Sequence, residues 1–151
     1  MAATITGANG PSPDGVLEPH HRLCLGCGPD NAHGHQLKVR LAGGRVFARH
    51  VFDARHSGAP GIVHGGAVAT VVDDLFGFVL HLVGEPAVTR QLQVDYLAPI
   101  RLGAPLDLAA QLARRDGRKL FLEGHGTDVA SGRTLLTAQA VFVVVPLEHF
   151  R

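Results

Sequence analysis

Apolar and polar positions divide the chain at about residue 36. Residues 1–20 are rich in Gly and Pro, and Pro11, Pro13 and Pro19 deny them regular structure, so a flexible arm is expected ahead of a single domain over 21–151. The runs Gln36–Leu41 and Val46–Phe52 predict two strands joined by a tight turn at Ala42-Gly43-Gly44. A loop is expected from Asp53 to Val63. Gly65–Val83 is apolar on nearly all sides and predicts a buried helix of about five turns, stopped by Gly84-Glu85-Pro86. Four further strands are predicted at Ala87–Leu97, Leu106–Arg115, Lys119–Asp128 and Thr134–Val145. Their turns are Pro99–Pro105, Asp116-Gly117 and Ser131-Gly132. Lys119, Phe121, Glu123 and His125 alternate with Leu120, Leu122 and Gly124, the pattern of a half-buried strand. Ala138–Val145 is almost wholly apolar, which predicts a strand covered on both faces.

Short turns imply antiparallel pairing, and a helix apolar all round must be wrapped. The expected architecture is α+β in the order ββ-α-ββββ: a curled antiparallel sheet of about six strands around one long central helix. Composition agrees with a compact domain. The chain has 151 residues, 46% hydrophobic and 18% charged, against a usual charged share of about 25%. A net charge of +1 gives no reason to expect nucleic acid as a partner. Asp73 and Asp74 in the middle of the long apolar run argue against a membrane span. No signal-peptide pattern opens the sequence, and Cys24 and Cys27 are a lone pair rather than a secreted disulfide framework, so a reduced, cytoplasmic setting is expected.

Candidate chemistry concentrates on the helix. His64-Gly65-Gly66 stands at its entry, where a ligand can approach unpaired backbone N–H groups at the positive end of the helix dipole. The same two glycines equally suit a sharp loop-to-helix bend. Asp73 and Asp74 point about 100° apart, so a wrapped helix cannot easily give both to water. A carboxylate in an apolar groove is a candidate base or nucleophile, or else a structural partner of Arg, His or Thr. Gly65 and Asp73 are about 12 Å apart along one helix, too far to serve one carbonyl group. If both act, two antiparallel helix copies must bring Gly65 of one chain to Asp73 of the other, with two sites per two-fold dimer.

The segment Pro60-Gly61-Ile62-Val63-His64-Gly65-Gly66-Ala67-Val68-Ala69-Thr70-Val71-Val72-Asp73-Asp74 resembles the hotdog-fold acyl-CoA thioesterases of the phenylacetic-acid-degradation (PaaI) type, in the 4-hydroxybenzoyl-CoA thioesterase superfamily. Val94-Asp95-Tyr96-Leu97-Ala98-Pro99 and Gly117-Arg118-Lys119-Leu120-Phe121 are similar to that family as well, and the likeness covers about residues 20–148. The resemblance implies an acyl-CoA substrate and no separate cofactor. It places Asp73 as the group that activates water or attacks the thioester, Gly65 as the amide that polarises the carbonyl, and Thr89 as the hydroxyl that orients water or carboxylate. It adds His64 and Gly66 at the site, and a homodimer with sites between subunits, often paired into tetramers. Where some members carry Asn or Gln, this chain has Gly58, and His56 or Ser57 are the available substitutes. Arg114, Arg115, Arg118 and Lys119 flank the Asp116-Gly117 turn and are candidates for CoA phosphates, or simply a solvated hairpin tip.

Cys24-Leu25-Gly26-Cys27, with His20, His21, His33 and His35 nearby, raises the question of zinc. A second ligand pair spaced three to five residues apart is missing, so no metal is expected and the cysteines are read as packing into the domain. His50, His81 and His125 are read as satisfied structural residues. Beside thioester hydrolysis, two other functions fit such a chain. One is a non-catalytic module that binds acyl-CoA or a small apolar ligand; the other is a dehydratase or hydratase of acyl thioesters.

Overall fold

A computed structural model describes residues 15–151. Among them are the strands β1 (Gly15–Val16), β2 (Arg40–Ala42), β3 (Arg45–His50), β4 (Ala87–Tyr96), β5 (Leu106–Asp116), β6 (Lys119–Asp128) and β7 (Thr134–Val144), and the helix α1 (Gly65–Val83). The strands form one sheet in the order β1-β2-β3-β5-β6-β7-β4, with every neighbouring pair antiparallel. The sheet curls around α1, the arrangement the pattern implied and the hotdog fold that the resemblance implied.

Helix α1 buries Val68, Val71, Val72, Leu75, Phe76, Phe78 and Val79 against the inner faces of the strands. Burial stabilises each such side chain by about 1.5–3 kcal/mol. The helix is long and apolar enough to cross a membrane, but here those faces are covered by sheet. Gly84 ends it in the left-handed region at φ 74°, with its N–H bonded to the Leu80 carbonyl at 2.9 Å.

The chain departs from the sequence expectation at its beginning and in its last strand. Of the expected arm, residues 1–14 lie outside the described residues. Gly15 and Val16, however, pair with Leu41 and Arg40, and His20 packs on Phe78 with ring centroids 4.0 Å apart. This segment is therefore held by a strand edge and by the helix. The strand expected from Gln36 begins only at Arg40 because Gln36 takes φ 52°, which breaks the extended path. With β1 added, the described sheet has seven strands instead of about six. Strand β7 alternates, with Thr137 and Gln139 exposed between buried Leu136, Ala138 and Ala140, so it is not covered on both faces within one chain.

Gly124 marks where the sheet and helix come closest. A Cβ there would lie 2.7 Å from the Ala109 carbonyl oxygen and 3.3 Å from the Phe76 ring. Gly124→Ala is therefore expected to lower the urea midpoint, by about 1–3 kcal/mol of stability, although alanine otherwise suits a strand better than glycine. An unchanged or raised midpoint would contradict this packing.

Candidate active site

The loop into α1 is fixed by its own backbone. Asp53 caps a short 3-10 turn, Ala54–His56, by accepting from the Arg55 N–H at 3.0 Å. Gly58 N–H then bonds Ile62 O at 2.9 Å, Val63 N–H bonds Ile100 O at 2.9 Å, and His64 N–H bonds His56 O at 2.7 Å. A Cβ at Gly58 would come within 2.9 Å of His64 Cα, so this fold of the loop leaves no room for a side chain there. Neither substitute takes its place. The Ser57 hydroxyl donates to Ala54 O at 2.8 Å, and the His56 ring is stacked on His35 with centroids 4.0 Å apart.

At the helix entry His64 is the N-cap, and its Nδ1 accepts from the Gly66 N–H at 2.8 Å. The cap occupies His64 Nδ1 and the Gly66 N–H with each other, and the Nε2 side of the exposed imidazole lies outside that bond. Gly65 N–H is the first of the helix, has no acceptor within it, and lies at the positive end of the dipole. The Tyr96 hydroxyl donates to Gly65 O at 2.5 Å and ties the end of β4 to this turn. Tyr96 stood in the family-like stretch with no role assigned. The contact joins residues 31 apart in the chain, so no local pattern could reveal it.

Two turns further on, the adjacent carboxylates go separate ways. Asp73 is partly exposed, and its Oδ1 accepts from the Thr89 hydroxyl at 2.8 Å, the pairing expected from the sequence. Asp74 turns into a buried clasp, where its Oδ1 accepts from His20 Nδ1 at 2.9 Å and from the Cys24 thiol at 3.2 Å. Burial pushes the Asp74 carboxyl up, and its bond to His20 draws it only part of the way back. For His20 burial opposes the charge, but the bonds to Asp74 and Cys24 outweigh it and raise the ring to about 9. Of the two, Asp73 is the carboxylate that keeps contact with solvent.

The basic turn is divided too. Arg114 lies over the Phe121 ring at 3.6 Å from its centroid, and Arg115 pairs with Glu85, while Arg118 and Lys119 are exposed. Since Glu85 follows the C-terminal end of α1, this tip and Gly65 stand at opposite ends of a helix about 28 Å long within one chain. A concavity of about 210 Å³ bordered by Pro99, Arg101, Asp128 and Arg133 includes none of Gly65, Asp73 and Thr89.

The family model described as the thioesterase superfamily matches residues 60–135, which carry the helix, Asp73 and Thr89. The chain belongs to the thioesterase superfamily. The acyl-coenzyme A thioesterase THEM4 of Rattus norvegicus is 42% identical over 83 residues, covering 54% of this chain and 36% of that protein. The acyl-coenzyme A thioesterase 13 of Homo sapiens is 27% identical over 99 residues, covering 64% of this chain and 71% of that protein. This chain therefore spans only about a third of the rat relative. A crystal structure of a thioesterase superfamily protein superposes with a TM-score of 0.75 and 30% identity, covering 81% of this chain and 60% of that one. A hypothetical thioesterase from Streptococcus pneumoniae, solved with coenzyme A, superposes with a TM-score of 0.64 at 22% identity, covering 68% of this chain and 79% of that one, a likeness of fold alone.

Beneath the entry loop of this thioesterase-superfamily chain lies a cluster of buried imidazoles. His35, His50 and His56 are 9%, 7% and 9% exposed and surround Phe52. His50 was expected to be satisfied, but its Nε2 has no hydrogen-bond partner among the described residues. Burial first, then repulsion from the neighbouring imidazoles, pushes His35 and His50 down to about 4. Between about pH 6.5 and about pH 4 the unfolded chain thus binds more protons than the folded one, and stability falls as pH falls through that window. Urea unfolding should show a slope of up to about 1.4 kcal/mol per pH unit for each ring. His50→Leu should flatten it. Equal slopes in the two proteins would contradict this assignment.

Proposed function

We propose that this chain hydrolyses acyl-CoA thioesters, with Asp73 as base or nucleophile and Gly65 of the partner subunit as the oxyanion donor. The observation that carries the reading is the Thr89–Asp73 hydrogen bond at 2.8 Å, which orients a partly exposed carboxylate on the face of the helix that the sheet leaves open. Thr89 occupies one lone pair of Oδ1 and fixes the carboxylate plane, leaving Oδ2 to face water or substrate. As base, Asp73 takes a proton from water as the water oxygen bonds to the thioester carbon. The carbonyl oxygen gains the negative charge and accepts from the Gly65 N–H. On collapse the C–S bond breaks, and the departing thiolate takes the proton from Asp73. As nucleophile, the carboxylate would itself bond to the carbonyl carbon, expelling the thiolate and leaving an anhydride for water to cleave.

The homodimer follows from length. Gly65 and Asp73 are separated by about 12 Å of helix, while donor and base must both reach one carbonyl. Gly66, Ala69, Thr70 and Asp73 lie on the part of α1 that is exposed or only half-buried, and the first three are small enough for a second helix to approach closely. Strand β4 is an open sheet edge of ten residues that a second copy can extend. Antiparallel pairing also brings the Arg118–Lys119 tip of one chain toward the Gly65 end of the other, as phosphates of a bound CoA would need. The acyl-CoA substrate is further supported by the names of the curated relatives and by the coenzyme A bound to a neighbour of the same fold.

Free thiol release from a panel of acyl-CoAs tests the reading. Asp73→Asn should lower kcat by about 10²–10⁴-fold, and Thr89→Val by about tenfold or less. Gly65→Pro replaces the N–H with a ring carbon and places a Cβ in ordinary contact with Tyr96, 3.5 Å from its hydroxyl; proline suits the first helical position, and His64 already holds the extended conformation (φ −61°, ψ 131°) that must precede it. It should lower kcat by about 10²–10³-fold with the fold intact. Full activity in Asp73→Asn would remove Asp73 from the reaction. Tight acyl-CoA binding with no thiol release would point instead to a binding module. Arg118→Glu with Lys119→Glu should raise KM for acyl-CoA but not for a thioester lacking phosphates, and an unchanged KM would make the tip a solvated hairpin.

A further inference from the structure

Four side chains from three places in the chain converge beside the middle of α1. His20 Nδ1, the sulfurs of Cys24 and Cys27 and a carboxylate oxygen of Asp74 all lie within 4.8 Å of one another. His20 Nδ1 is 2.9 Å from Asp74 Oδ1 and 3.5 Å from Cys27 Sγ, and Cys24 Sγ is 3.2 Å from Asp74 Oδ1. Donor atoms bound to one tetrahedral zinc at about 2.0–2.3 Å stand about 3.3–3.8 Å apart, close to these separations. We propose that His20, Cys24, Cys27 and Asp74 bind one zinc ion in a closed structural site.

The surroundings are built for that purpose. The turn from Cys24 to Gly28 is pressed against the helix so closely that a Cβ at Gly26 would meet Asp74 Cγ at 2.3 Å. A Cβ at Gly77 would meet the His20 ring at 2.9 Å, so glycine there lets the imidazole lie on the helix. The turn is closed by Gly28 N–H to Cys24 O at 2.9 Å. The His20 N–H donates to Cys27 Sγ at 3.2 Å, a bond that favours a thiolate. Asp74 is 9% exposed, and its Oδ2 has no hydrogen-bond partner among the described residues. A buried carboxylate oxygen without a partner is uncommon, and a cation relieves it.

The donor set selects the ion. Two thiols and an imidazole suit zinc, while calcium and magnesium require oxygen donors throughout. Four protein ligands leave no open position, so the role is structural and separate from the Asp73–Thr89 pair, which lies about 100° around the helix axis. The missing second Cys or His pair, which argued against metal in the sequence, is supplied by His20 from upstream and by Asp74 from the helix. The ion would pin the segment before β2 to α1 next to the catalytic carboxylate.

The test uses the full chain, untagged, reduced and purified from zinc-replete medium. Elemental analysis should find one zinc per chain. Reconstitution of the zinc-stripped protein with Co²⁺ should give the strong visible bands of tetrahedral cobalt together with thiolate-to-cobalt charge transfer. Chelator competition should show zinc held at least about tenfold more weakly in Cys24→Ser and in Asp74→Asn. Should either variant fail to fold, the cobalt spectrum of the wild type decides. Folded, reduced wild type that takes up neither metal overturns the site, as does bound cobalt without a thiolate band, which would place the metal elsewhere. An inactive chain that holds zinc overturns only the hydrolase reading.

Discussion

Helix α1 is too apolar to leave uncovered, and the need to bury the apolar side of its nineteen residues governs everything else in the molecule. Seven of its side chains are buried, so the sheet must curl and its strands must be long. Wrapping leaves the helix few places where a charge can be accommodated. Asp73 and Asp74 occupy two of them, about 100° apart around the axis. One meets a hydroxyl at the sheet edge and keeps contact with solvent; the other is enclosed by a folded-back N-terminal segment. A single adjacent pair of carboxylates thus meets two settings, one open to solvent and one enclosed, because its surroundings differ.

The enclosing sheet explains why part of the molecule could be read from sequence. In α1 and β4–β7 burial is imposed along the whole element, so periodicity carries the signal and the observed ends lie within one residue of those expected. Thr89 opposite Asp73 was legible for a different reason, through the likeness to a known family, and the hydrogen bond agrees with it. At the N-terminal side the determining contacts are tertiary. Pro19 marks the neighbourhood of His20 as irregular, and irregular it is, yet the His20 ring is fixed by a carboxylate 54 residues away. No pattern within residues 15–40 announces that partner. Likewise His35, His50 and His56 look polar in sequence and are buried together only because the segment before β2, the end of β3 and the entry turn meet there.

The helix entry shows how backbone geometry assigns roles that residue type alone leaves open. His64 and Gly66 have the chemistry of ligand contacts, and a capping bond joins Nδ1 of the one to the amide of the other. Gly58, in contrast, has no side chain because His64 stands in its way. What remains is one helix-end amide and one aimed carboxylate, separated by about two helical turns. On the proposed mechanism, one chain supplies the donor for one site and the base for another, each completed by the partner.

The most direct measurement is subunit complementation. Gly65→Pro and Asp73→Asn chains, each inactive alone, are unfolded together and refolded as a mixture. If the site is shared, mixed dimers regain one intact site in two, and an equimolar mixture recovers roughly a quarter of wild-type activity. Mixed dimers that form, as seen by mass, yet release no thiol would contradict the shared site.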